Sequence, residues 1–289
     1  MSKEKLQIKR RSMFGEVMVR FLRKPIAVLG AAILIIVVAL CLLSPIIAPY
    51  DYDAQDISRK FTEPCAEYIC GTDNLGRDVF SRLLYGGRIS LMVGFVSAFV
   101  AAIAGVILGA IAAFYGKRTD NIIMRILDVF MALPQTLLAI VISAMIGPGI
   151  KGAIIAVTLA TIPRYAQAVR GPILAIRDQE FVEAAFAIDA KDFRIILRHI
   201  LPNVLSPIIV QVTMGVGNAI TMAASLSFLG LGVQPPYPEW GAMLSGARVY
   251  ILDHAYLVTF PGLAIALIVL ALNLMGDGLR DAIDPRWKD

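Results

Sequence analysis

IAVLGAAILIIVVALCLLSPIIA, residues 26–48, contains no charged side chain. An α-helix of about 20 such residues spans the hydrocarbon core of a bilayer. The run is too long for the apolar part of a cleaved leader, about 7–15 residues. No small-x-small cleavage site leads into a soluble body, so it reads as a retained anchor. Working outward, further uncharged or nearly uncharged runs occupy 89–115, 121–149, 152–163, 204–232 and 255–275. The run 152–163 is the weakest, being short and ending at Pro163. All are continuous rather than alternating in polarity, which excludes a closed barrel and gives six membrane-spanning helices. The composition agrees. The 289 residues are 58% hydrophobic and 17% charged, against about 45–50% and about 25% in soluble domains.

Charge sets the expected orientation. Eight Lys/Arg precede residue 25 (Lys3, Lys5, Lys9, Arg10, Arg11, Arg20, Arg23, Lys24), so the positive-inside rule puts the N-terminus in the cytoplasm. Six spans then place 117–125, 164–202 and 276–289 inside, with 49–88, 147–151 and 233–254 outside. Twenty of the 27 Lys/Arg fall inside. In the loop 49–88 seven acids outweigh five bases. The net charge of +5 therefore follows from topology and calls for no nucleic acid. The chain divides into a cytoplasmic segment 1–25, an anchor 26–48, an extracytoplasmic loop 49–88, a core 89–276 and a cytoplasmic tail 277–289.

Within the outside loop, Cys65 and Cys70 either form a local disulfide or remain two free thiols. Cys41 is an apolar filler in the first span. The D-x-D-x-Q start at Asp51 lacks the Gly and Glu of a calcium loop. Val79, Leu83 and Leu84 have helical spacing among Arg77, Arg82 and Arg88, which predicts a short interfacial helix. In the second span Ser97, Ala101, Gly105, Gly109 and Ala113 form a small-residue row, read as a packing face. Pro134 kinks or starts the third helix. Gln211, Gly215, Asn218, Met222 and Ser225 share one face of the fifth span, either as hydrogen-bonding contacts between helices or as the lining of a conduit. Gly276 and Gly278 are expected to stop the sixth helix.

The span centres carry no Asp, Glu, Lys, Arg or His in this reading, which disfavours a proton-coupled carrier or an intramembrane hydrolase. There is no phosphate-binding loop of the form G-x-x-x-x-G-K-[ST]. Uphill transport would draw its energy from another polypeptide.

Residues 177–203 differ from the rest. Phe181, Ala184, Ala185 and Ile188, then Phe193, Ile196, Leu197, Ile200 and Leu201, follow the helical apolar spacing. Asp189-x-x-Asp192 has the outline of a capping pair between two short helices, Glu180 and Glu183 lie in a first turn where the macrodipole favours acids, and Pro202 closes the second helix. Five acids in this knob (Asp178, Glu180, Glu183, Asp189, Asp192) argue against anionic lipid and for a groove on a protein.

Glu183-Ala184-Ala185 through Ile200-Leu201-Pro202 resembles the "EAA" loop of bacterial ABC importer permeases. GTDNLGRDVFSRLLYGGRISL (71–91), SFLGLGVQPPYPEWGAML (227–244) and GDGLRDAIDPR (276–286) resemble the dipeptide/oligopeptide/nickel subfamily, in particular its C-type subunit. The resemblance implies a type I permease: one anchor plus a five-helix core in a bacterial or archaeal inner membrane, multi-pass, with both termini cytoplasmic. It implies a second permease subunit, two ATP-binding subunits that hold ATP and Mg, and an external solute-binding protein. The chain itself would hold no cofactor and catalyse no reaction. The coupling loop 177–202 would meet the ATP-binding subunits through Glu183, Ala184, Ala185, Asp189, Arg198, Leu201 and Pro202. Gln211, Asn218 and Ser225 would line the translocation path, and Arg77 and Asp78 would lie on the binding-protein side. Where the family pattern has glycine, this chain has Asp189, which tolerates φ > 0 better than most residues. Peptides are the favoured cargo, with nickel or another small solute the alternative. A stand-alone secondary carrier and a non-transporting scaffold are the less favoured readings.

Overall fold

The computed structural model describes residues 13–283; the basic residues Lys3 to Arg11, and Arg286 and Lys288 of the tail, lie outside the described residues. Among the described residues five helices are long and apolar enough to cross a membrane, or six if one bent pair counts as a single span. α1 (Met13–Leu22) leads into α2 (Pro25–Leu42), which starts on Pro25 because the first helical position needs no N–H partner. α2 is apolar on every side and mostly exposed, as a lipid-facing helix must be. Its buried Ala27, Gly30 and Cys41 meet the rest of the chain. A short α3 (Ser44–Ile47) follows.

After the loop, α4 runs unbroken over 37 residues, Val79–Tyr115, about 55 Å. The expected separate helix at 79–88 is its first part. Asp78 caps it by accepting from the Ser81 N–H at 2.7 Å, so nothing ends the helix before Gly116 (φ +61). The small-residue row is a packing face: a Cβ on Gly105 would lie 2.4 Å from Tyr165 Cβ, and one on Gly109 2.4 Å from the Ala166 carbonyl.

The third span is broken. α5 (Lys117–Met131) and α6 (Gln135–Ile146) meet at 87°. Pro134 lacks an N–H and forces Leu133 out of the helical region, so the chain turns there. By contrast α7 (Ile150–Arg177) runs through both Pro163 and Pro172 for 28 residues, where Pro163 was expected to end it. Neighbouring helices hold the interrupted backbone in place. The correction matters for charge, because Arg164 and Arg170 now fall inside a spanning helix.

α8 (Glu180–Ala187) and α9 (Asp192–Ile195) form the knob. Pro202 does not close the second helix. The chain passes it with a π turn (Ile196–Ile200) and a 3-10 turn (Leu201–Val204), changes of register that absorb the missing N–H, and continues as α10 (Leu205–Phe228). α11 (Trp240–Ala247) returns to pack against α4, α10 and α12. α12 (Tyr256–Ile283) continues past Gly276 and Gly278. These glycines are sites of close approach rather than stops: Cβ atoms there would lie 2.7 Å from Met214 and 2.1 Å from Ala27. The main core joins Val93, Ala139, Val157, Ile220, Trp240 and Ile268. The bundle thus has a knob end, with α8 and α9, and a loop end, with 49–78, 147–149 and 229–254.

Candidate functional site

The knob is clamped to α4 and α7. Arg177 at the end of α7 donates to the Ala113 carbonyl at 3.1 Å and to Asp178 at 2.8 Å. That guanidinium holds the Asp178 carboxyl below its usual range. α8 then ends in a Schellman turn: Ala190 N–H donates to Ala185 O at 3.2 Å and Asp189 N–H to Phe186 O at 3.0 Å. Asp189 occupies the left-handed position, φ +54, where glycine is the easy choice. The expected Asp189/Asp192 capping pair is absent. Asp189 serves the end of α8, and Lys191 precedes α9 without a side-chain cap. Asp192 faces Tyr115.

Burial divides the knob's apolar residues in two. Val182, Ala185, Ile195, Ile200 and Val204 pack on Ala110, Phe114, Val169 and Ile173, and Phe186 stacks on Phe114 at 5.9 Å. Of the stripe read from the sequence, Ala185 and Ile200 belong to this inner face. Phe181, Ile188, Phe193 and Leu197 point outward, with Ile188 78% and Phe193 73% exposed. Around them Glu183, Ala184, Asp189, Arg194, Arg198 and Pro202 are exposed and Leu201 is half-buried. None of the charged groups in this set enters an ion pair among the described residues. The arrangement is a rigidly held projection with greasy tips and unpaired charges of both signs.

Beside the knob, a cavity of about 660 Å³ opens between α7, the Pro202 turn, α10 and α12. It is lined by Ala168, Pro202, Asn203, Ser206, Gln211 and Arg280 among others. The α10 stripe splits in two. Gly215 faces inward against the Tyr165 hydroxyl, and Met222 is buried. Gln211 is half-exposed, and Asn218, Thr221 and Ser225 are exposed. The Thr221 and Ser225 hydroxyls donate to the carbonyls of Gly217 and Thr221, at 3.0 and 2.8 Å. Thr221 went unread in the sequence although its helical spacing matches Asn218 and Ser225.

At the loop end Arg77 and Asp78 are not an open surface. Asp78 is 3% exposed; its Oδ2 accepts from the Ser81 N–H and hydroxyl in the α4 cap, and its Oδ1 is buried without a hydrogen-bond partner. Arg77 Nε donates to Asp73 Oδ2 at 2.7 Å, and Arg82 Nη1 donates to the Tyr52 carbonyl at 2.8 Å. Cys65 is an exposed free thiol and Cys70 a buried one. Burial, with Asp78 nearby, pushes the Cys70 thiol up to about 11. Glu239, also unread in the sequence, is 1% exposed. It accepts from the Ser90 hydroxyl and the Ala242 N–H, both at 2.9 Å, while Trp240 Nε1 donates to Leu83 O at 2.9 Å. The only sequence signal was a Glu-Trp pair after three prolines.

Comparisons with known proteins bear on the whole chain. Residues 12–64 match the N-terminal transmembrane domain of oligopeptide transport permease C, and residues 105–289 match the binding-protein-dependent transport system inner membrane component. The dipeptide transport system permease protein DppC of Alkalihalophilus pseudofirmus is 45% identical over 266 residues, 92% of this chain and 88% of that one. The glutathione transport system permease protein GsiD of Escherichia coli is 46% identical over 270 residues, covering 93% and 89%. In fold, the chain is similar to a chain of the inward-facing MetNI methionine ABC transporter, with TM-score 0.58 and 20% identity, covering 70% of this chain and 96% of that one. With a family model matched over more than half its length and relatives this similar over about nine tenths of the chain, the chain belongs to the family of inner membrane components of binding-protein-dependent transport systems, the permeases of ABC importers.

Proposed function

We propose that this permease carries peptides into the cell, driven by ATP hydrolysis in two separate partner subunits that dock on the knob. Similarity to dipeptide and glutathione permeases supports peptide cargo. The observation that carries the docking reading is the pair of outward residues Ile188 and Phe193, presented on a segment otherwise clamped to α4 and α7. Apolar tips ringed by charge fit a protein cleft, whereas the acids of the knob would be repelled by anionic headgroups.

In this reading Glu183, Ala184, Asp189, Arg198, Leu201 and Pro202 meet the ATP-binding subunit, and Ala185 holds the knob to its own helices. Closure of the ATP-binding subunits then pushes on α7 and α10, between which the knob is inserted. A second permease subunit covers the exposed face of α10, where Gln211, Asn218 and Ser225 border the path. The basic N-terminus and the knob are cytoplasmic, and the loop end receives an external binding protein. Glu183→Arg should abolish ATP-driven peptide uptake and co-purification of the ATP-binding subunits while the protein remains folded. Unchanged uptake and co-purification would reject the docking assignment.

A further inference from the structure

Extending α7 past Pro163 leaves Arg164 at the middle of the 28-residue helix Ile150–Arg177. Its side chain is exposed and enters no ion pair among the described residues. A cation facing lipid near mid-span costs about 2.5–3.5 kcal/mol on insertion scales, so ionisable groups at that depth turn to water or protein. One turn further toward the knob end, Ala168 lines the cavity of about 660 Å³. Residues four apart share a helix face, so Arg164 stands at the inner approach to that cavity.

The cavity lining is itself one-sided in charge. Among the described residues Arg280 is its one charged residue, set among the neutral polar groups of Asn203, Ser206 and Gln211. Arg280 is exposed and, among the described residues, unpaired. Asp277, one turn earlier on α12, makes no ion pair with it, and Asp281 is bonded to Lys24. Among the described residues no carboxylate lines the space.

We propose that Arg164 and Arg280 are two successive cationic steps along the inner half of the conduit, which take the carboxylate of the transported solute on its way to the cytoplasm. This rests on the permease reading above and adds a substrate requirement to it: a free carboxylate, as at a peptide C-terminus. Guanidinium forks suit that group. Two separated steps in a wet cavity bind it weakly enough for release, as conduction through a pore requires.

The test uses the assembled transporter in vesicles, with Cys41, Cys65 and Cys70 changed to Ala and a reporter thiol at Gln211→Cys, or at Asn203→Cys should the first fail to assemble. An anionic methanethiosulfonate should modify the reporter about three- to tenfold faster than a cationic one. Arg164→Gln and Arg280→Gln should each cut that ratio at least about twofold, and Arg164→Lys should keep it. A reporter that reacts with neither reagent, or a ratio that both glutamine variants leave unchanged, overturns the proposal. In a second arm with native cysteines, ATP-driven uptake of dialanine should show a lowered kcat in both glutamine variants. Full uptake in both would overturn the carboxylate role. A parent that takes up no dialanine yet keeps the charge-dependent ratio would reject peptide cargo and leave the cationic steps standing for another anion.

Discussion

Glu239 at the loop end is 1% exposed and has both carboxylate oxygens bonded, one to Ser90 and one to the α11 backbone. Glu183 at the knob end is exposed and enters no ion pair among the described residues, on the same knob as bare Ile188 and Phe193. The same contrast holds for arginine: Arg77 and Arg82 are bonded in a half-enclosed network, whereas Arg194 and Arg198 are free of ion pairs among the described residues. One end of the bundle bonds these glutamate and arginine groups within its own chain, although Asp53 Oδ1, Asp78 Oδ1 and His254 Nδ1 there are buried without a hydrogen-bond partner. The other leaves apolar tips and charges of both signs without partners. A surface built like the second end is complete only against another protein.

The contrast can be broken by substitutions that act on one end alone. The largest expected effect on stability is at the loop end: Trp240→Ala removes a ring that is 1% exposed and bonded to Leu83 O, and should lower unfolding stability by about 3–5 kcal/mol, read from a detergent melt. Asp78→Ala removes the α4 cap and should cost about 1–2 kcal/mol. At the knob, Asp189→Gly relieves a left-handed aspartate and should stabilise by up to about 1 kcal/mol, visible as slower amide exchange in α8. Phe193→Ser, on a side chain 73% exposed, should change stability by less than about 0.5 kcal/mol yet abolish coupled uptake. Should Phe193→Ser instead destabilise as strongly as Trp240→Ala, the division between the two ends collapses. The smallest effect is chemical. At pH 8 an alkylating reagent should label exposed Cys65 and spare Cys70, whose thiol, raised to about 11 by burial, holds little thiolate there.

Much of this was legible in the sequence because lipid enforces simple rules. Uncharged runs gave the spanning helices, and amphipathic spacing with acids in the first turn picked out the knob. Proline and glycine misled. Pro163, Pro202, Gly276 and Gly278 all read as stops, yet helices pass through every one, since neighbouring helices supply the support or the close contact that sequence alone does not display. Pro134 alone breaks its helix. The knob's inner and outer faces were also mixed, because Val182 and Phe181 are adjacent in sequence and equally apolar. Only the position of α4 and α7 decides which one is buried.

Two isoleucines of nearly equal exposure allow the most direct test of the docking claim. Ile188 on the knob is 78% exposed and Ile46 on α3 is 82% exposed. A photo-reactive amino acid placed at each, in the assembled transporter, should capture an ATP-binding subunit from position 188 and never from position 46. Capture from 46, or none from 188 under ATP turnover, would contradict the account.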